Sequence, residues 1–316
     1  MNNYEHIADL SEKITSAVSN VILGKENEIR LILTAIFSGG HVLLDDYPGT
    51  GKTTLARSLA AVISCSTSRI QFTPDLLPSD ITGINYFNVK DGEFIFRSGP
   101  IFANIVIGDE INRAAPRTQS AMLECMAERQ VTVDGVTHSL PYPFIVLATQ
   151  NPIDQQGTFM LPEAQRDRFM LKLSLGYPDR NAESAMIDAH IGKRPFESIS
   201  SVCTADDISK IMQICETVAY SSKIRDYILD IIYATRSDAR IALGVSPRGC
   251  LALMRASQSF AAINGRGYIL PDDIKAVAVP VLSHRIISRN RERFNSITHA
   301  SDIITDIIDR IPSPVD

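Results

Sequence analysis

The chain has 316 residues, 45% of them hydrophobic, with 36 acidic against 31 basic side chains and a net charge of −5. That length can bury a full core and divide into two domains, while the mild acidity and the lack of any block of like charge argue against a dedicated nucleic-acid binder. Five cysteines without a C-x-x-C pair read as reduced, mostly buried thiols, the polar N-terminus shows no secretory signal, and no apolar run approaches a membrane span. A soluble, cytoplasmic protein is expected.

Apolar positions at helical spacing over residues 5–20 (Ile7, Leu10, Ile14, Val18) predict an opening helix. A turn at 21–25 and a second helix from Glu26 to Phe37 follow, and Gly39-Gly40 ends that helix before a strand at 41–44. The run from Leu43 to Thr54, LLDDYPGTGKTT, reads as a phosphate-binding loop between this strand and a helix over 52–64. Gly49 and Gly51 let backbone N–H groups curl around an anion, and the helix aims its positive end at it. Lys52 then reaches the β- and γ-phosphates, and Thr53 places its hydroxyl on Mg²⁺. A strict G-x-x-x-x-G-K-[ST] pattern has glycine where this chain has Asp46. Aspartate tolerates left-handed backbone angles better than most residues, so the loop is still expected to form, with that charge turned away from the phosphates.

Two Asp-Gly pairs predict hairpins with tight turns, because both turn residues accept positive φ. Residues 84–89 and 93–96 flank Asp91-Gly92, and residues 130–133 and 136–140 flank Asp134-Gly135. A parallel α/β sheet needs neither, so both read as insertions that serve partners. Between them, 101–107 reads as a buried strand delivering Asp109 and Glu110 at its end, and 116–128 as a helix. One carboxylate suits a metal shell and the other can orient a water, as hydrolysis of a nucleoside triphosphate requires. Residues 144–148 make another core strand, ending at Thr149-Gln150-Asn151-Pro152, and strands alternating with helices give a parallel sheet. Gly176-Tyr177-Pro178-Asp179 breaks the pattern and divides 1–178 from a helical 179–316. The basic run Arg285, Arg289, Arg291, Arg293 reads as a solvated face, with a subunit contact as the lesser option.

In this order the residues resemble the MoxR family of AAA+ ATPases, from about Val21 to Arg285. The resemblance is carried by the loop at 44–53, by Gly99-Pro100-Ile101-Phe102, by Asp109-Glu110-Ile111-Asn112-Arg113-Ala114 with 118–124, by Ala148 to Pro152, by Leu161 to Phe169, and by Gly244-Val245-Ser246-Pro247-Arg248. It implies a P-loop AAA+ nucleotide-binding domain of α/β class, a parallel sheet sandwiched by helices with the two inserted β-hairpins, followed by an all-α lid domain. ATP and Mg²⁺ are its implied cofactors and a homo-hexameric ring its implied assembly. Aspartate at 46 is usual in that family.

The resemblance also implies roles. Pro48, Gly49, Thr50, Gly51, Lys52, Thr53 and Thr54 surround the phosphates, Thr53 and Asp109 hold the metal, and Val21 and Ile22 pack on adenine. Glu110 activates the attacking water and Asn151 orients it. Arg168 is the arginine finger given to the neighbouring subunit's ATP, and Arg248 the lid arginine on the γ-phosphate of its own subunit. The implied activity is ATP-driven, chaperone-like remodelling or maturation of a protein complex, often with a partner carrying a von Willebrand factor A domain, and without nucleic acid or membrane insertion. The same motifs would serve the ATPase subunit of a metal-chelatase. Against a third use, as a DNA-linked AAA+ motor, stand the weak basicity and the lack of a helix-turn-helix.

Overall fold

The computed structural model describes residues 2–47, 49–151, 158–190, 199–289 and 296–314; Pro48, Pro152, Arg291 and Arg293 lie outside the described residues. Asn2 opens α1 (Asn3–Ser19) with a capping box, accepting from the Tyr4 N–H while Glu5 accepts from its own N–H at 2.9 Å. After α2 (Glu26–Phe37) come β1 (Val42–Asp45), α3 (Lys52–Val62), the two-residue β2 (Ile63–Ser64), β3 (Thr67–Gln71) and the short α4 (Pro78–Thr82). A hairpin of β4 (Gly83–Asn88) and β5 (Glu93–Ser98) precedes β6 (Ile105–Asp109) and α5 (Pro116–Glu128). A second hairpin, β7 (Gln130–Val133) and β8 (Val136–Ser139), leads to β9 (Ile145–Gln150), α6 (Glu163–Arg166) and β10 (Leu171–Leu173).

Five of these strands form one parallel sheet in the order β10-β1-β9-β6-β3. Its inner strands are apolar without a break because both faces are covered. Val42, Leu44, Ile105, Ile107, Ile145 and Leu147 turn to one core, while Leu43, Val106, Val146 and Ala148 turn to the other.

The remaining chain is mainly helical. It runs through α7 (Arg180–His190), β11 (Cys203–Thr204), α8 (Ala205–Glu216), α9 (Ser222–Ser237), β12 (Ile241–Leu243), α10 (Pro247–Ile263), α11 (Pro271–Leu282), β13 (Ile287–Ser288) and α12 (Ser296–Arg310). Ile211, Ile231, Leu253, Val277 and Ile304 from these helices join the same core as α1, α2 and α3. The hydrophobic contact between the two halves is therefore continuous.

Several elements differ from the sequence expectation. The helix expected to reach residue 64 stops at Val62, because Ile63-Ser64 pair with Cys203-Thr204. The strand expected from 101 starts at Ile105, because the Ile101 N–H bonds to Ile81 and the Ala103 N–H turns back to Ile101. Both hairpins form, but only Asp134-Gly135 takes positive φ at both positions (49° and 82°). The first closes through a four-residue loop in which Gly92 alone does so, at 72°.

Arg285 is a larger departure, since it is buried, not solvated. Its Nε donates to Asp167 Oδ1 at 2.8 Å, and its terminal nitrogens donate to the carbonyls of Phe169 and Met170 at 2.7 and 3.0 Å. Burial pulls its pKa down to about 10 while Asp167 pulls it back up, so it stays a cation at neutral pH.

His41, at the foot of β1, is fully buried as a neutral imidazole: Nδ1 accepts from the Val146 N–H at 3.0 Å and Nε2 donates to the Met126 carbonyl at 3.1 Å. Burial lowers its pKa from 6.5 to about 4. The unfolded chain thus binds this proton more readily than the folded one. The stabilisation is complete above pH 6.5 and lost as pH falls toward 4, amounting to about 3 kcal/mol. The melting temperature is expected to drop across that window, and His41→Gln, which keeps a donor and an acceptor, to flatten the slope. Identical slopes in parent and variant would show that His41 does not drive it.

Candidate active site

The phosphate loop begins where β1 ends. Gly49 and Gly51 have φ of 85° and 87°, backbone that a side chain resists, and Gly51 caps α3 so that its first N–H groups open toward the loop. Lys52 folds back onto the loop and the end of β9. Its Nζ donates to the carbonyls of Asp46, Tyr47 (3.0 Å) and Gln150 (3.2 Å). Burial lowers its pKa, and Asp46, Asp45, Glu110 and Asp109 oppose that fall. Thr50 Oγ1 donates to the Tyr47 carbonyl at 3.1 Å, while Thr54 is exposed on the first turn of α3.

Asp46 does not take the left-handed backbone that its replacement of glycine suggested. It is buried, and its carboxylate accepts from the Tyr47 N–H at 2.8 Å and from the Gly176 N–H at 2.6 Å. That second bond ties the loop to the segment leading into the helical half. Tyr47 stacks on Tyr177 beside it, ring centroids 6.1 Å apart. On the other side of the loop, Val21 is buried and Ile22 half-buried, with Ile22 Cδ1 only 3.8 Å from where a Cβ on Gly51 would lie.

β6 delivers the acidic pair to the same end of the sheet. Asp109 is buried, and its Oδ1 accepts from Thr53 Oγ1 at 2.8 Å. Glu110 leaves the strand with φ of 58°, held there by its N–H donating to Thr149 Oγ1 at 2.9 Å. Its carboxylate pairs with Arg113 at 3.0 Å. Asn151 follows β9, which lies between β1 and β6, and its carbonyl accepts from Asn112 Nδ2 at 3.0 Å. Lys52, Thr53, Asp109, Glu110 and Asn151 are therefore brought together.

Thr53 and Asp109 fit a magnesium ion bound with a nucleotide. They supply two hard oxygens in contact beside a helix N-terminus, and magnesium takes its other ligands from phosphates and water. Among the described residues no group of three or more His, Cys, Asp or Glu could hold a metal alone.

Arg168 and Arg248 lie elsewhere. In the register of the parallel sheet Leu171 sits beside Val42, so Arg168 precedes β10 at the end where β1 begins. The loop is at the other end, beyond a strand of about 13 Å at about 3.3 Å per residue. The Arg168 guanidinium has no polar partner among the described residues. Its neighbour Asp167 is gripped by Arg285 and by Ser246 Oγ, which donates at 3.1 Å and also caps α10 by accepting from the Gly249 N–H. Arg248, exposed in the first turn of α10, is thus on the Arg168 side, and the expected contact with its own subunit's γ-phosphate does not fit this arrangement.

Four polar residues around the acidic pair were not singled out in the sequence: Arg69 and Gln71 on β3, Arg113 and Thr149. Arg69 Nε donates to Asp109 Oδ2 at 2.6 Å, and Gln71 Nε2 lies 3.5 Å from Glu110.

The profile of the ATPase family associated with various cellular activities (AAA) matches residues 41–171, and that of the AAA lid domain matches 233–307. The chain is 44% identical to the Bacillus subtilis protein YeaC over 98% of this chain and 97% of the relative. It is 38% identical to the Mycobacterium tuberculosis protein named chaperone MoxR1, covering 87% and 75% respectively. The crystal structure of a candidate ATPase from Cytophaga hutchinsonii superposes with a TM-score of 0.88 at 35% identity, over 99% of this chain and 97% of that one.

Proposed function

Because the chain belongs to the MoxR family of AAA+ ATPases, we propose that it works as a hexameric ring coupling Mg²⁺-dependent ATP hydrolysis to the remodelling or maturation of a protein complex. The observation that carries this reading is the division of the machinery between the two ends of the parallel sheet. One end holds Lys52, Thr53, Asp109, Glu110 and Asn151; Arg168 precedes β10 at the other. This division supports a site completed by a second copy.

In that site the loop N–H groups and Lys52 bind the β- and γ-phosphates. Thr53 and Asp109 would hold a divalent cation, whose charge would stabilise the transferring phosphoryl group. Glu110 takes the proton of the attacking water, and Asn151 fixes that water's direction. Arg168 of one subunit meets the charge developing in the next. Arg248, on the same side as Arg168, would face the same neighbour in this reading.

The first hairpin bears Phe87, Val89 and Phe94 on its exposed surface, Val89 being 86% accessible. Apolar side chains presented this way suit a protein client or a von Willebrand factor A partner better than a nucleic acid. Among the described residues no helix is long and apolar enough to cross a membrane, which is compatible with a cytoplasmic site of action.

Lys52→Ala is expected to weaken ATP binding by on the order of tenfold or more, measured with a fluorescent ATP analogue. Sedimentation of the parent with ATP is expected to show hexamers. Unchanged nucleotide binding in the variant would remove the loop assignment, and a monomer at every concentration would remove the ring.

A further inference from the structure

Asp109 is a buried carboxylate with both oxygens occupied. Oδ1 accepts from the Thr53 hydroxyl, and Oδ2 takes the Arg69 Nε at 2.6 Å. Of the other cations of the site, Lys52 is turned onto backbone carbonyls and Arg113 onto Glu110. Arg69 therefore supplies the charge that makes an ionised Asp109 tolerable beneath the surface. Its own surroundings differ sharply. The Arg69 side chain is 54% exposed and stands on β3, the edge strand of the sheet, with one further weak bond to Gln71 Oε1 at 3.3 Å. A guanidinium so placed is readily solvated once another cation takes its place on Asp109.

Two cations cannot both be fully favoured on one carboxylate. A divalent ion bound by Thr53 and Asp109 meets the positive charge of Arg69 across that single group, and like charges at such range repel. We infer that Arg69 is the resident counter-cation of Asp109 and competes with the divalent cation, so that it sets how strongly nucleotide binding depends on the metal. With Arg69 in place, metal-free ATP faces a neutralised Asp109 and is accepted. Without it, metal-free ATP faces an uncompensated carboxylate and is repelled, while the metal finds its ligand vacant. The same residue thus weakens metal binding and strengthens metal-free nucleotide binding.

This inference rests on the ATPase reading above, and its test keeps the two apart. Affinity for a fluorescent ATP analogue is measured in excess Mg²⁺ and in EDTA for the parent, Arg69→Met and Arg69→Lys. Mn²⁺ binding in the presence of ATP is followed by electron paramagnetic resonance. Methionine keeps an apolar stem without charge at an exposed edge position, Arg69→Lys keeps the charge, and thermal melting of each variant confirms that it is folded. The expected result is opposite movement: tighter binding in Mg²⁺ and weaker binding in EDTA for Arg69→Met, widening the ratio of the two affinities about tenfold. Mn²⁺ should bind more tightly to that variant, and Arg69→Lys should stay close to the parent. An unmoved ratio overturns the inference while leaving the ATPase reading intact. So does an equal fall of both affinities, which would put Arg69 on the nucleotide itself. A parent that binds no ATP in either condition removes both.

Discussion

Arg168→Ala is expected to bind ATP near normally and to hydrolyse it about 10³–10⁵ times more slowly. The reason is geometric: Arg168 precedes β10 at the end of the sheet away from the phosphate loop of its own chain. Parent activity per subunit is expected to rise with protein concentration as rings form. Mixing Arg168→Ala subunits with Glu110→Gln subunits sharpens the test. Interfaces that pair an intact Glu110 with an intact Arg168 should recover partial turnover. No recovery despite confirmed mixed rings would place Arg168 in its own subunit or in structure alone.

Glu110→Gln is expected to lower turnover by on the order of 10² or more while ATP binding persists. The substitution preserves size and hydrogen bonding, and the Thr149 bond to the residue 110 N–H does not depend on the side chain. What disappears is the carboxylate that accepts the water's proton. Single-turnover hydrolysis with a separate binding titration distinguishes the two effects. Turnover at the parent rate would mean that another group acts as the base.

The residues legible in the sequence are those whose backbone or spacing demands a particular type. Gly49 and Gly51 are visible because a loop at positive φ needs them, and Asp109 and Glu110 because a wholly apolar strand ends in two acids. Arg69 and Gln71 were hidden because β3 buries only Ile70 of its five residues, leaving no apolar pattern to mark a strand. Arg285 was misread for a different reason. Its spacing matches three other arginines, while the carboxylate that explains it is 118 residues away. The Asp46 carboxylate likewise meets the Gly176 N–H across 130 residues, and only tertiary structure supplies such a partner. Asp91 was over-read: the Asp-Gly pair located the hairpin but not its turn type, because the loop is four residues long.

The hold of Ser246 and Arg285 on Asp167 makes Arg168 a passenger of the C-terminal helices, since its immediate neighbour is clamped by both. At the other end, Asp46 fastens the phosphate loop to the strip of chain where those helices begin. The phosphate loop and the mount of Arg168 are thus both tied to the C-terminal part of the same chain. In the proposed ring, that shared attachment would couple occupancy of one pocket to the arginine presented to the next.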